Sequence, residues 1–265
     1  MGYRDMVKGI ISDCDIVLEI IDARFPEKSR NLDMEQYIEK EKKELIIVIN
    51  KSDLISKRNA ERIKNILGGR TVFVSATKRK GVARLRIGIG KIAADRQVKI
   101  AVIGYPNTGK SSIINMLKGS RAARTSSTAG FTRGKQYVRV SGRMLLIDSP
   151  GVIPFNENDE MLMSLLNAKN PQHLKDLEGT GVEMAEYLLR TQPETLQKHY
   201  GIEKRDGEEF LEELARKRNK LLKGARPDIN AAARIFIDDF QQGKIAFSPE
   251  MPSQKKDKIP KNGQN

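Results

Sequence analysis

A chain of 265 residues with a formal charge of +14 is long enough to bury a sizeable core, and its length suits one medium domain with a smaller companion. The longest aliphatic run, 45–49, is too short to cross a bilayer, and the first residues lack the long apolar core of a secretory signal. The sole cysteine, Cys14, cannot pair within the chain, so a soluble, cytoplasmic protein of a reducing compartment is expected, with no membrane association.

The excess charge is concentrated in the middle. Residues 51–150 carry 22 Lys and Arg against 4 Asp and Glu, whereas 151–265 carry 18 against 19. A polyanionic partner, nucleic acid above all, accounts for such a block, although a solvated helix face accounts for any single cation in it.

Taken in chain order, apolar runs ending in polar turns occur at 15–22 (DIVLEIID), 44–50 (ELIIVIN), 70–76 (RTVFVSA), 98–104 (VKIAVIG) and 143–151 (RMLLIDSPG). Their length and composition predict buried strands. Between them lie helical patterns. Ala60, Ile63 and Leu67 follow Ser56, a suitable N-cap, and end at Gly68 and Gly69; Val82, Leu85, Ile89 and Ile92 share a second face, with Arg84, Arg86 and Lys91 left to solvent. This alternation predicts an α/β, doubly wound, mostly parallel sheet whose loops carry chemistry at the strand ends. Beyond about residue 155 helices take over. A helix over 208–222 has Phe210, Leu214 and Leu221 on one stripe, and another runs from Asp228 as N-cap to Gly243 with Ile229, Ala233, Phe236 and Phe240 as its stripe. The expected organisation is a domain over 1–155, a small all-α domain over 156–245, and a mobile basic tail over 246–265.

The segment GYPNTGKS at 104–111 fits the P-loop pattern, with a strand before it and a helix after it. Gly104 and Gly109 let the backbone curl so that the N–H groups of Asn107, Thr108, Gly109, Lys110, Ser111 and Ser112 face phosphate oxygens. Lys110 reaches the β and γ phosphates, and the Ser111 hydroxyl ligates magnesium. NKSD at 50–53 is either an ordinary strand-end turn or a guanine reader. In the second reading Asp53 accepts from the ring N–H and exocyclic amine of guanine, a pair that adenine does not present. Asn50 bonds the base and braces the phosphate loop, the stem of Lys51 covers the ring, and the backbone at Ser75 and Ala76 donates to the guanine oxygen. DSPG at 148–151 places Asp148 to hold magnesium through water and Gly151 to donate its N–H to the γ-phosphate. Thr132 is the candidate that senses magnesium and γ-phosphate, with Thr125 and Thr128 as competitors. Lys110, Thr132 and Gly151 are accordingly the catalytic candidates, and Ser111, Thr132 and Asp148 the metal candidates.

All five parts of a GTPase are thus present, in the order base, base, phosphate, switch, switch. The chain resembles the circularly permuted P-loop GTPases. Within them it is most similar to the ribosome-biogenesis (YlqF/YawG-like) branch, whose DARxP pattern matches Asp22, Ala23, Arg24, Phe25 and Pro26, and whose helical domain ends much like 223–245 here. The resemblance implies a permuted Ras-like GTPase domain over 1–155 followed by an all-α domain over 156–245 that binds RNA and the ribosome. It implies GTP and GDP as ligands, magnesium as cofactor, slow hydrolysis stimulated by ribosomal particles, and monomeric action on ribosomal RNA and the ribosomal subunit, the large one favoured. Two departures stand out. Val152 follows DSPG where Ras-like GTPases place a glutamine, and the only histidines, His173 and His199, lie beyond the nucleotide motifs and are expected on helix surfaces. Asn107 either caps a turn or, as in related GTPases, helps to bind a potassium ion. Arg216, Lys217, Arg218, Lys220 and Lys223 either line an RNA-facing helix or are solvated, while 78–86 and 121–139 are the stronger basic blocks. Beside the assembly factor stands a nucleotide-gated RNA-binding module with negligible turnover. An ATP-dependent kinase is disfavoured by Asp53.

Overall fold

Ile16, Leu18 and Ile20 alternate with Val17, Glu19 and Ile21 along β1 (Ile16–Asp22), so this strand has an apolar set on each face and is buried along its whole length. A strand of that kind needs cover on both sides, which parallel sheets obtain from crossover helices. In the computed structural model, which describes residues 3–122, 136–141, 143–148, 159–245 and 247–249, β1 is flanked in parallel by β2 (Glu44–Asn50) and β4 (Val98–Gly104). With β3 (Thr71–Phe73), β5 (Gln136–Ser141) and β6 (Met144–Asp148) they form one sheet in the order β3-β2-β1-β4-β6-β5, antiparallel only between β5 and β6. The class is the α/β, doubly wound, mostly parallel sheet expected, followed by helices.

Helices α1 (Tyr3–Ser12), α2 (Leu32–Lys40) and α3 (Lys57–Leu67) cover one face through Val7, Ile11, Met34, Ile38, Ile63 and Leu67. The other face is covered by α4 (Val82–Ala93) and α5 (Lys110–Ala122) through Leu85, Ile89, Ile113 and Leu117. Ser56 caps α3 by accepting from Asn59 N at 3.2 Å, and Gly68 ends it at φ 63°. Arg86 is exposed as expected, and its guanidinium in addition donates to the carbonyls of Met116 (3.0 Å) and Leu117 (2.9 Å), binding α4 to α5. The strand expected over 70–76 stops at Phe73 because Ser75 turns back to pair with Lys80, opening a loop at the strand end.

The described residues fall into two compact units, one within 1–154 and 249–265, the other within 155–248. The second contains α6 (Glu160–Leu165), α7 (Leu177–Thr191), α8 (Pro193–Tyr200), α9 (Gly207–Lys217) and α10 (Ile229–Gln241). Its core is aromatic. Phe210 and Phe236 meet edge to face at 5.4 Å between centroids, Tyr200 joins them, and the Tyr200 hydroxyl donates to Asp239 at 3.1 Å. α7 and α10 approach so closely at Gly181 that a Cβ there would lie 2.5 Å from that of Ala233. α9 ends at Lys217, so the helix expected over 208–222 is shorter and Leu221 lies outside its stripe, 47% exposed.

One polar side chain interrupts the first core. Glu19 is fully buried in mid-β1; its Oε1 accepts from Asn31 N at 2.7 Å, whereas Oε2 has no hydrogen-bond partner. Burial first, and then the charge of Glu35, which Arg30 holds at 2.7 and 2.5 Å, push the Glu19 carboxyl well above its usual range. The folded protein therefore binds this proton more tightly than the unfolded chain does. Glu19 favours folding below the ordinary carboxylate pKa, and that advantage is lost as pH rises through the folded value. Glu19→Gln keeps the acceptor for Asn31 and removes the titration. Its melting temperature is expected to exceed that of wild type at pH 7–8, with the gap closing as pH falls toward 4.5; a constant gap would assign the effect to packing instead.

Candidate nucleotide-binding site

Register brings the site together. Asp22 is level with Asn50 across β1 and β2, and Ile20 is level with Gly104 across β1 and β4, so three strands release their loops at one edge. The chain runs outward from β1 to β3 and then crosses back to β4 on the other side of β1. That reversal opens the crevice in which doubly wound folds bind their ligands.

Asn50 ties the loops to one another. Its side-chain nitrogen donates to Thr108 O at 2.7 Å, and its side-chain oxygen accepts from Ala76 N at 3.1 Å. The first bond spans 58 residues of sequence and exists because Gly109, at φ 98°, has no side chain: a Cβ there would lie 2.1 Å from Asn50 Nδ2. Gly104 is equally constrained, since a Cβ would meet Ile20 O at 2.3 Å. Next along the NKSD turn, Asp53 is exposed and accepts from the Ser75 hydroxyl at 2.6 Å. Thus the hydrogen bonds Ser75–Asp53, Ala76–Asn50 and Asn50–Thr108, joined by the peptide bond between Ser75 and Ala76, connect the NKSD turn to the GYPNTGKS loop.

Within the phosphate loop, Asn107 takes a left-handed conformation at φ 57° and is exposed, while Thr108 is buried and its hydroxyl donates to Tyr105 O at 2.8 Å. Lys110 begins α5. Its ammonium donates to the carbonyls of Gly104 and Tyr105, each at 2.7 Å, and burial pushes its pKa down to about 8. Ser111 and Ser112 are exposed in the first turn of α5, where free backbone N–H groups and the helix dipole favour an anion. Asp148 ends β6, two strands from β1. Ser111 offers a hydroxyl oxygen, the type of ligand a hard cation such as magnesium selects. Thr132 and Gly151, and with them Thr125, Thr128 and Val152, lie outside the described residues.

A family model described as RsgA GTPase matches residues 3–157, which is more than half of the chain. The chain belongs to the circularly permuted GTPases. A second model, described as 50S ribosome-binding GTPase, matches 99–218 of this permuted GTPase. Solved structures of YlqF from T. maritima share its fold: the GNP-bound form aligns with a TM-score of 0.63 at 26% identity, covering 94% of this chain and 98% of that one, and the GDP-bound form gives 0.64. An uncharacterized GTP-binding protein, MJ1464, of Methanocaldococcus jannaschii is 35% identical over 92% of the chain, and nucleolar GTP-binding protein 2 of Saccharomyces cerevisiae is 30% identical over 95%. The chain spans 66% and 54% of the lengths of these two relatives.

In this permuted GTPase the DAR segment has a structural role that its sequence did not disclose. Asp22, with no exposed surface, accepts from Arg24 Nε (3.1 Å) and Nη2 (2.9 Å), from Arg24 N (3.0 Å) and from the Lys51 ammonium (2.8 Å). Burial would raise its pKa, but the two cations override burial and hold it at about 2. Burial also lowers the pKa of Lys51, and the charge of Asp22 opposes this. Lys51 sits at φ 59°, so the left-handed residue that turns NKSD is anchored by its own head group. The available signal was a carboxylate at the end of an otherwise apolar strand, since a charge placed there requires a cation. Asp22→Asn is expected to weaken GDP binding about tenfold, the scale of a lost charge-assisted hydrogen bond. In a Lys51→Met background the same change should cost far less, as read by titration calorimetry; additive losses would disconnect Asp22 from the base turn.

Proposed function

We propose that this protein binds GTP and GDP at the crevice described above, hydrolyses GTP, and serves as an assembly factor on a ribosomal particle, the large subunit in preference. The observation that carries the nucleotide reading is the pair of bonds from Asn50 to Thr108 and to Ala76, which joins the NKSD turn to the GYPNTGKS loop 58 residues away in sequence. In this reading Asp53 pairs with the guanine N–H groups, Ser75 and Ala76 frame its oxygen, and the amides from Asn107 to Ser112 surround the phosphates. Water attacks the γ-phosphorus, the bond to the β-phosphate oxygen breaks, and Lys110 stabilises charge on the oxygens between them. Magnesium would be held by Ser111, Asp148 and Thr132 and would supply further neutralisation of phosphate charge, and Gly151 would donate to the γ-phosphate. Potassium, held by Asn107, would supply further positive charge.

The ribosomal reading is supported by the description of the model matched over 99–218 and by the nucleolar names of relatives. The exposed Arg79 and Arg84 of the basic block at 78–86 support contact with ribosomal RNA. The protein acts as a cytoplasmic monomer; among the described residues no helix is long and apolar enough to cross a membrane. Passage of the chain from DSPG into 155–248 couples γ-phosphate to the helical unit. One observation favours a second reading, a nucleotide-gated RNA-binding module with negligible turnover: Val152, which cannot orient water, follows DSPG.

GTP turnover with and without large ribosomal subunits separates the two. The assembly-factor reading expects stimulation, greater in potassium than in sodium buffer, and Asp53→Asn should shift preference from guanine to xanthine nucleotides; undiminished GTP binding in that variant would undo the base assignment.

Lys110 gives the site a pH dependence. A phosphate oxygen favours its charged form, so above pH 8 binding must first return a proton to the buried amine. Below pH 8 the amine is already charged, and affinity owes nothing to pH through this group. GDP affinity should therefore fall about fivefold between pH 8 and pH 9, with proton uptake visible when calorimetry is repeated in buffers of different ionisation enthalpy. A flat profile would place Lys110 away from the phosphates.

A further inference from the structure

An acid in the middle of a two-faced apolar strand works against packing. Glu19 shares its side of β1 with Val17 and Ile21, which have no exposed surface and belong to the core that α1, α2 and α3 cover. Its place also keeps it from the chemistry: it stands level with Ile47 of β2 and Ile103 of β4, before the strand ends at Asp22. From there it reaches forward to one donor. The bond from Asn31 N to Glu19 Oε1, 2.7 Å long, joins residues 12 apart in sequence. Asn31 is the N-cap of α2, its own side chain accepting from Met34 N at 3.1 Å. Glu19 thus fixes the point at which the chain, having left β1, enters the next helix.

The segment between, 23–30, is closed on itself. The Ser29 hydroxyl accepts from Asp22 N at 2.9 Å and donates to Phe25 O at 2.5 Å, and Ser29 N donates to the same carbonyl at 3.0 Å. Ala23, Phe25 and Ser29 are fully buried, and Arg30 is held to Glu35 of α2. A loop whose ends lie close together and whose own side chains fill it is one compact body. This body holds the base turn: Ala23 N donates to Asn50 O at 2.9 Å, and Asp22, gripped by Arg24, accepts from the Lys51 ammonium at 2.8 Å. Ser29 secures the loop where it leaves the strand, and Glu19 secures it where it joins the helix. No apolar side chain could accept from Asn31 N, and without that bond the helix end of the loop would lose its tie to the sheet.

We propose that Glu19 and Ser29 are positioning residues for nucleotide binding: by closing the loop 23–30 they set Asp22 and Ala23 against Lys51 and Asn50, and so hold the NKSD turn in the shape that receives the base. This role rests on the nucleotide reading above and extends it from the pocket into the core. It gives the buried acid a use that packing does not, since the stability Glu19 forgoes at neutral pH is exchanged for a fixed base turn.

Calorimetric titration of the full chain with GDP at pH 7, together with the melting temperature of each variant, tests this. Glu19→Met removes the acceptor and should weaken GDP binding about fivefold, the scale on which residues that touch no ligand modulate a coupled site. Glu19→Gln keeps the acceptor and should bind GDP as wild type does. Ser29→Ala lies outside the strand and should reproduce the loss, which keeps the test decisive if Glu19→Met does not fold. In a Lys51→Met background, where the loop has lost its charged hold on the turn, each loss should shrink to about twofold or less. A merely structural pair would shift the melting temperature and leave the GDP affinity of the folded protein unchanged. Wild-type affinity in folded Glu19→Met or in Ser29→Ala, a loss in Glu19→Gln equal to that in Glu19→Met, or losses undiminished by Lys51→Met overturns the proposal. If Asp22→Asn weakens GDP binding while Glu19→Met and Ser29→Ala do not, this role alone fails; if wild type has no affinity for GDP, the nucleotide reading fails with it.

Discussion

The architecture of the first unit depends on one carboxamide. Asn50 donates to the phosphate loop and accepts from the loop after β3; without it the buried Thr108 carbonyl would be left unpaired, at a cost of about 1–3 kcal/mol, and the half-buried Ala76 N–H would lose its partner. Only a side chain with a donor and an acceptor on one rigid group can make both bonds at once. Aspartate at this position would lose the bond to Thr108 O, and no apolar residue could make either. Gly109 completes the arrangement by leaving space where any Cβ would fall on the amide nitrogen. The two residues are far apart in sequence and adjacent in space, so neither is explained by its local surroundings.

This dependence shows why a permuted order is physically acceptable. Asn50 and Thr108 interact according to which strand ends share an edge, and that is decided by the order β3-β2-β1-β4-β6-β5. Nothing in that order depends on which strand is synthesised first. The buried, two-faced strands β1, β2 and β4 form the centre, and the short β3 and the antiparallel β5 close the edges. Central strands are specified by unbroken apolar composition and edge strands by what remains to be paired.

The same division explains what could be read from the sequence. Strands β2 and β4 were legible to the residue because an aliphatic run between polar turns has few alternative folds, and α3 was legible because Ser56 and Gly68 mark its ends chemically. β5 was missed: Gln136, Arg139 and Ser141 make it look like a loop, and it exists only because β6 offers an open edge. The helix after Gly207 was drawn too long because Leu221 and Leu222 continue an apolar pattern, whereas the turn at Asn219 and the reversal at Gly224 break it. At the site, the residue types and spacing of both nucleotide motifs were visible, and the geometry brings Asn50, Asp53, Ser75, Ala76 and Thr108 into one chain of bonds. The partnership of Lys51 with Asp22 was not visible, because a lysine stem expected to cover a base says nothing of where its ammonium goes.

That partnership also bears on how binding energy arises. The polar groups of this site are already engaged: Lys110 with two carbonyls, Asp53 with a serine hydroxyl, Lys51 with a buried carboxylate. A ligand therefore gains by exchange rather than by filling empty positions. For Lys110 the exchange replaces neutral carbonyl oxygens by charged phosphate oxygens, and charge-assisted hydrogen bonds are roughly twice as strong as neutral ones. In the proposed guanine-reading mode, Asp53 would exchange one hydroxyl donor for two N–H donors. Lys51 is the exception, since its partner is an aspartate held ionised by two cations and no base can better it. In the proposed mode its ammonium would stay in place while its neighbours change partners, so the Asp22–Lys51 pair would be the fixed reference of the pocket.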